Sequence, residues 1–515
     1  MSQENLFAAL RGAFPADLDT VAIETADTPA PLFYTWRDLE RGTAMLANLI
    51  DALALPPASR IAVQTEKSVE ALMLYLAVLR AGHVYLPLNT AYQAAEIEYF
   101  IANAEPAMVV CAGKNFGWIS RIAFVAGTRH VFTLNEDRSG SLLDRAAYQG
   151  DTHEPARRGA DDLAAILYTS GTTGRSKGAM LSHGNLLSNA RVLKDAWGWR
   201  SPQDGGDVLI HALPIFHVHG LFVASHGALI NGSKMIWFSR FDARAVTARL
   251  PEATVFMGVP TLYVRLLAEP GFTRQACRHM RLFVSGSAPL LLETFNEFKG
   301  KSGHTILERY GMSETTMLTS NPYRPESKRC GGTVGYALPG VGVRVHSDKG
   351  TPLPAGDIGG IEVKGPNIFK GYWKMPEKTA DEFTTDLWFK TGDVGKIDAD
   401  GRITIVGRSK DLIISGGYNV YPAEIEGFIN DMPGVAESAV VGVPHPDFGE
   451  AVVAVVVAKP GAALAGATVV AALKAQIANF KVPKQVYVVS ELPRNAMGKV
   501  QKNLLRDQHQ GLFAK

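Results

Sequence analysis

Apolar positions fall into short runs whose spacing alternates between helix and strand. From Ser68 to Gly82, SVEALMLYLAVLRAG puts Val69, Leu72, Met73, Leu76 and Leu79 at helical spacing, while Leu74 and Val78 make the other side apolar too. Such a helix wants burial on several sides. Ser68 is its expected N-cap and Gly82 its stop, after which HVYLPL reads as a strand. The rhythm recurs: DDLAAILYTSG, DVLIHALP, SKMIWFS, ATVFMGV and MRLFVSG are short and rich in branched or aromatic residues, with helical stretches such as NLLSNARVLKDAWGW between them. A large, helix-covered sheet is expected.

The texture changes at about Val334. VGVRVHS, IGGIEVKG, WFKTGDVGKI and GRITIVGR are short strands punctuated by Gly and Asp, which predicts hairpins or a small β-barrel-like subdomain over 334–407. Beyond Arg408 comes a further unit with a strand over 451–458 and a helix over TVVAALKAQIANF, 468–480. The expected fold is α/β, with a large N-terminal domain over 1–409, including the β-rich subdomain, and a small α+β C-terminal domain over 410–515. No internal repeat is visible.

At 515 residues the chain is long enough for about three structural units and a large core. With 52 basic against 50 acidic residues the formal net charge is +2, which leaves no basic field for a polyanion, so a general nucleic-acid binder is disfavoured. Neither an apolar stretch of spanning length nor a signal-peptide core is present, so no membrane partner or export is expected. Three scattered cysteines, Cys111, Cys277 and Cys330, argue against a disulfide framework and a four-cysteine zinc site, and fit a reducing, cytoplasmic location.

Candidate chemistry begins at YTSGTTGRSKGA, 168–179, directly after the strand LAAIL. Three glycines and small hydroxyl residues let the backbone curl around an anion, and Lys177 adds a point charge, which suits a triphosphate. The spacing is not G-x4-G-K-[ST], so P-loop NTPase chemistry is disfavoured. Alone, the stretch reads equally well as a Ser/Gly turn with a solvated lysine. It is followed, however, by LPIFHVHG (213–220), SGSAPL (285–290), ERYGMSET (308–315), TGD (391–393), GRSKDLIISGGYNVYPAEIE (407–426) and NAMGKVQK (495–502). In this order and spacing the chain resembles the acyl-adenylate-forming superfamily, which includes acyl-CoA synthetases, firefly luciferase and peptide-synthetase adenylation domains.

That resemblance implies two half-reactions, a carboxylate with MgATP giving acyl-AMP and pyrophosphate, then a thiol giving the thioester and AMP. It implies ATP contacts from Thr169, Ser170, Gly171, Thr172, Thr173, Gly174 and Lys177, an adenine site at Gly286, Ser287, Ala288 and Tyr310, and a Thr315 bond to the α-phosphate. Glu314 is the expected magnesium-associated carboxylate, suited to a cation that takes few protein oxygens besides phosphate and water. Asp393 matches ribose hydroxyls, Arg408 the sugar or a phosphate, and Lys499 the cation that brings carboxylate and α-phosphate together. Taken singly, these would be a helix-start Glu, a turn Asp, a surface Arg and a tail Lys; the shared signature reverses that. Lys499 and the ATP loop lie in different domains, so the resemblance implies a mobile small domain rotating about Lys410, with Gly416 and Gly417 letting a pantetheine arm pass.

Free coenzyme A is the expected thiol, since thirteen residues after Lys502 leave no room for an appended carrier domain. A short dicarboxylate requires a cation in the acyl pocket, because an unpaired second carboxylate is costly to desolvate. Arg240, in WFSRFD, is the first candidate, against an alternative surface pair with Asp242; Arg281 is the second. His217, Ser285 and Met312 are expected to line the acyl pocket. These segments resemble malonyl-CoA synthetases, which implies malonate, with methylmalonate as a further acid. The alternatives are a ligase for another short, fatty or aryl acid and an inactive nucleotide-binding scaffold. Acylation of Lys499 would delete its charge, so a lysine acyltransferase or deacylase is a further expected partner.

Overall fold

The computed structural model describes residues 4–28, 30–169, 176–347, 349–415, 418–495 and 498–513. The helix expected after Ser68 runs Val69–Arg80; the Ser68 side chain accepts from the Ala71 N–H, and every residue of the helix is buried. That follows from its lack of a polar face, each large apolar side chain removed from water contributing about 1.5–3 kcal/mol. Gly82, at φ +75°, then turns the chain into Val84–Pro87.

That strand belongs to a six-stranded sheet ordered His130–Thr133, Met108–Cys111, Arg60–Gln64, Val84–Pro87, Leu163–Thr169, Lys177–Ser182. Its strands are parallel except the last, which returns antiparallel with Thr169 opposite Lys177. The glycine-rich stretch therefore joins two paired strands, whereas a P-loop joins a strand to a helix. A second sheet of nine strands is ordered Tyr336–Ala337, Thr316–Ser320, Leu307–Met312, Leu282–Ser285, Val255–Gly258, Val208–His211, Lys234–Trp237, Val21–Thr25, Phe33–Thr35. From Leu307–Met312 to Val21–Thr25 it is parallel. Burial on both faces explains the continuous apolar runs LFVS and VFMG.

The β-rich stretch forms a four-stranded antiparallel meander of Gly342–His346, Gly359–Lys364, Phe389–Ile397 and Ile403–Arg408. From Ile413 onward the chain builds a five-stranded sheet, the long pair Val435–His445 and Gly449–Ala458 at its heart. The helix expected over 468–480 is shorter, Gly466–Lys474; beyond it Phe480 is drawn onto Tyr418, ring centroids 4.5 Å apart. Buried apolar residues of this last unit cluster only with each other. A unit with its own core can move as one body. Among the described residues no helix is long and apolar enough to cross a membrane.

Candidate active site

The carboxyl ends of the nine-stranded sheet, the meander and the C-terminal unit converge on one cleft. Its nucleotide half, as the motifs assign it, is held by ion pairs and hydrogen bonds already made. Asp393, buried on the strand Phe389–Ile397, is ion-paired with Arg408, Nε to Oδ1 2.6 Å, and accepts a hydrogen bond from the Tyr310 hydroxyl. Burial raises its pKa and Arg408 opposes the rise. Arg408 itself is 42% exposed, so its fork remains reachable. The hydrogen bond to Asp393 ties down the Tyr310 hydroxyl, and in the small-residue segment Gly286-Ser287-Ala288 Ser287 takes the left-handed conformation at φ +71°.

Glu314 is 5% exposed, and Oε1 accepts from the Tyr372 hydroxyl at 3.1 Å and from Thr169 Oγ1 at 3.4 Å. Burial raises its pKa. Among the described residues it has no ion-pair partner, and a buried carboxylate so placed fits a hard divalent cation that completes its shell with phosphate and water. The turn that carries it is strained: Thr316 sits at φ +51°, costly for a β-branched residue. Gly311 makes room for it, since a Cβ there would lie 1.9 Å from the Thr316 carbonyl oxygen. The Thr315 hydroxyl is turned inward, donating to the Thr316 carbonyl and accepting from the Met312 N–H, both at 3.2 Å. Lys177 pairs with Glu382 at 3.3 Å and stands 4.3 Å over the Tyr372 ring. Ser170, Gly171, Thr172, Thr173, Gly174, Gly416 and Gly417 lie outside the described residues.

The other half of the cleft is built differently. Arg309, next to Tyr310 on the strand Leu307–Met312, is 2% exposed, and its Nε and Nη2 find no hydrogen-bond partner among the described residues. Burial pushes its pKa down to about 9, which still leaves a cation at neutral pH. It packs under Gly286, where a Cβ would come within 2.6 Å of its Cζ. Within its electrostatic reach are His217, whose pKa is pushed down to about 3 by burial and then by Lys499 and Arg309, and His219, pushed down by burial and then by Arg309. His219 donates its backbone N–H to His217 Nδ1 at 3.3 Å, while its Nε2 and the buried Ser285 Oγ are unpartnered. Met312 packs at the edge of the main core. A buried cation ringed by neutral imidazoles and free donors is arranged to receive an anion.

Lys499 enters this cleft from the C-terminal unit. Its backbone N–H donates to Asn495 Oδ1 at 3.0 Å and its carbonyl accepts from the Asn495 N–H at 2.9 Å, so the NAMGK turn presents the side chain. Lys499 is exposed as a residue, yet burial of its ammonium and then Arg408 press its pKa downward, against Asp393 and Glu314, which raise it. Lys410 follows the last meander strand, in the turn Ser409–Asp411.

Two cations expected in the acyl pocket are elsewhere. Arg240 is exposed beyond the strand Lys234–Trp237, its backbone N–H on Asp27 at 3.3 Å. Four strand spacings separate that strand from the one bearing Arg309, roughly 19 Å of sheet. Nor does Arg240 pair with Asp242, whose carboxylate caps the helix Ala243–Arg249. Arg281 is committed to Asp207 through Nε at 2.7 Å and Nη2 at 2.6 Å. Sequence reasoning missed Arg309 and His219. The signal was present: successive strand residues face opposite ways, so a Tyr310 turned to the nucleotide sends its neighbour to the other side.

The family description "AMP-binding enzyme" matches residues 18–373, and "AMP-binding enzyme C-terminal domain" matches 424–499. A malonate–CoA ligase from Arabidopsis thaliana is 34% identical over 482 residues, 87% of this chain and 78% of that protein. A feruloyl-CoA synthase from an Amycolatopsis species is also 34% identical, over 92% of this chain and 93% of its own. The crystal structure of ATP-bound MatB from Rhodopseudomonas palustris is 54% identical, with a TM-score of 0.95 over 99% of this chain and 100% of that one.

Proposed function

Because the chain belongs to the AMP-binding enzyme family, we propose that it joins malonate to coenzyme A by way of an acyl-adenylate. A malonate carboxylate oxygen attacks the α-phosphorus of ATP, pyrophosphate leaves, and malonyl-AMP forms. The thiol of coenzyme A then attacks the acyl carbon, releasing AMP and one proton. Neither step needs strong acid or base from the protein; both need like charges held together.

Lys499 supplies the cation between the reacting carboxylate and the α-phosphate. Asp393 and Arg408 grip the ribose, Tyr310 with Gly286, Ser287 and Ala288 holds the adenine, and Lys177 meets the outer phosphates. Glu314 would hold Mg²⁺, which supplies charge neutralisation on the phosphates when bound. In the second step the unit beyond Lys410 rotates, removing Lys499. The separate core of that unit supports such a motion. The three cysteines are all free, which suits a reducing compartment, and the cytoplasm is our assignment.

The observation that carries malonate is Arg309, a buried guanidinium with two unpartnered nitrogens. A monocarboxylic acid would leave that charge unpaired, whereas malonate brings a second carboxylate to it while the first meets Lys499. Among curated relatives at 34% identity the percentage alone does not choose, since a malonate and a feruloyl ligase are equally identical there. Pyrophosphate exchange across malonate, methylmalonate, propionate, octanoate and benzoate tests the reading. Malonate is expected to lead, and Arg309→Met to lower kcat/KM for malonate about 10²–10³-fold, with a much smaller loss for propionate. Wild-type exchange with octanoate or benzoate equal to that with malonate, or an Arg309→Met enzyme as active on malonate as wild type, would overturn it.

A further inference from the structure

Lys177 does not wait in solvent. It is the first residue of the strand Lys177–Ser182, its side chain 20% exposed, and its ammonium lies 3.3 Å from Glu382 Oε1 and 4.3 Å above the Tyr372 ring. Tyr372 in turn donates its hydroxyl to Glu314. Glu382 ends the helix Pro376–Glu382, and the same Oε1 is reached at 3.1 Å by Lys378, one turn earlier. The carboxylate thus has two lysines. If Lys177 departs, Glu382 keeps Lys378, and no half-buried charge is left alone.

We propose that Glu382 is a positioning residue for Lys177, holding it beside the phosphate site before nucleotide arrives, yielding it to the β- and γ-phosphates of ATP, and reclaiming it as pyrophosphate leaves. The proposal rests on the reading above, in which Lys177 meets the phosphates. Its physical content is an exchange of anions around one ammonium. A carboxylate that competes for Lys177 weakens the grip on ATP and on pyrophosphate alike, and at the same time keeps the lysine oriented over Tyr372 rather than splayed into water. For the product this competition is useful, because pyrophosphate otherwise lingers on every cation that bound the triphosphate.

The test is a cycle of Glu382→Gln and Lys177→Met, measuring KM for MgATP at saturating malonate and the inhibition constant of added pyrophosphate. With Glu382→Gln both constants are expected to fall about two- to fivefold, the range open to a half-exposed pair. Glu382→Asp should restore wild-type values. In the Lys177→Met background, Glu382→Gln should move neither constant, an outcome that a purely structural role for the helix end would not produce. Unchanged constants in Glu382→Gln, or the same fall with Lys177 already replaced, overturn the proposal. Should Glu382→Gln fail to fold, Glu382→Asn is measured in the same cycle. The underlying reading fails separately, if Lys177→Met forms acyl-AMP as fast as wild type.

Discussion

The two halves of the cleft treat charge in opposite ways. On the nucleotide side Asp393 has Arg408 and Tyr310, and Lys177 has Glu382, so these ions are partnered before a ligand comes; Glu314, hydrogen-bonded but without an ion-pair partner among the described residues, is the exception. On the acid side Arg309, His219 and Ser285 are buried with donors or acceptors unfilled. A partnered site binds by exchange, and the net gain from each contact is a difference between two ion pairs. An unpartnered site keeps its desolvation cost until the right ligand arrives, so it discriminates steeply between a ligand that completes it and one that does not. On the proposed function, the nucleotide half holds and releases ATP, AMP and pyrophosphate in turn, and the acid half chooses.

The harshest way to break this contrast is at Lys499, where the halves meet. Lys499→Ala is expected to lower acyl-AMP formation about 10³-fold or more, measured by pyrophosphate exchange, and to spare thioester formation from supplied malonyl-AMP. Equal loss in both half-reactions would count against the division of labour between the domains.

Gly286→Ala sharpens the contrast at the border between the halves, where the glycine assigned to the adenine site lies against Arg309. A methyl group 2.6 Å from Arg309 Cζ must displace the guanidinium. We expect kcat/KM for malonate to drop roughly 10–100-fold, the scale of overpacking a rigid site, with a smaller drop for propionate. A uniform loss across both acids would show that Arg309 does not select.

The mildest change is Arg408→Lys, on the exposed rim of the nucleotide half. It keeps the charge but loses the fork on Asp393, and KM for ATP should rise about five- to tenfold by the same factor whichever acid is present. A factor that varied with the acid would mean the two halves are coupled rather than separate.

Much of this was written locally. A helix with no polar face had to be buried, and the run from Val69 to Arg80 is. Short branched runs punctuated by helices had to become a covered parallel sheet, and the Gly- and Asp-punctuated strands after Val334, read as hairpins or a small barrel, pair as an antiparallel meander. The motifs from YTSGTTGRSKGA to NAMGKVQK also carry, in order, the membership of the AMP-binding enzyme family. These are properties of neighbouring residues, and sequence records neighbours directly.

Which arginine serves the acid was decided elsewhere. Arg240 and Arg281 flank strands of the sheet that carries Arg309, and beyond the alternation that turns Arg309 away from Tyr310 nothing local ranks them. The rank comes from the order in which those strands lie side by side, with Lys234–Trp237 set far from Leu307–Met312, and from Asp207, whose carboxylate claims Arg281. Strand order and the partners it brings together are long-range outcomes of packing the whole sheet. A buried charge shows whether it is satisfied only once every neighbour that could satisfy it is in place.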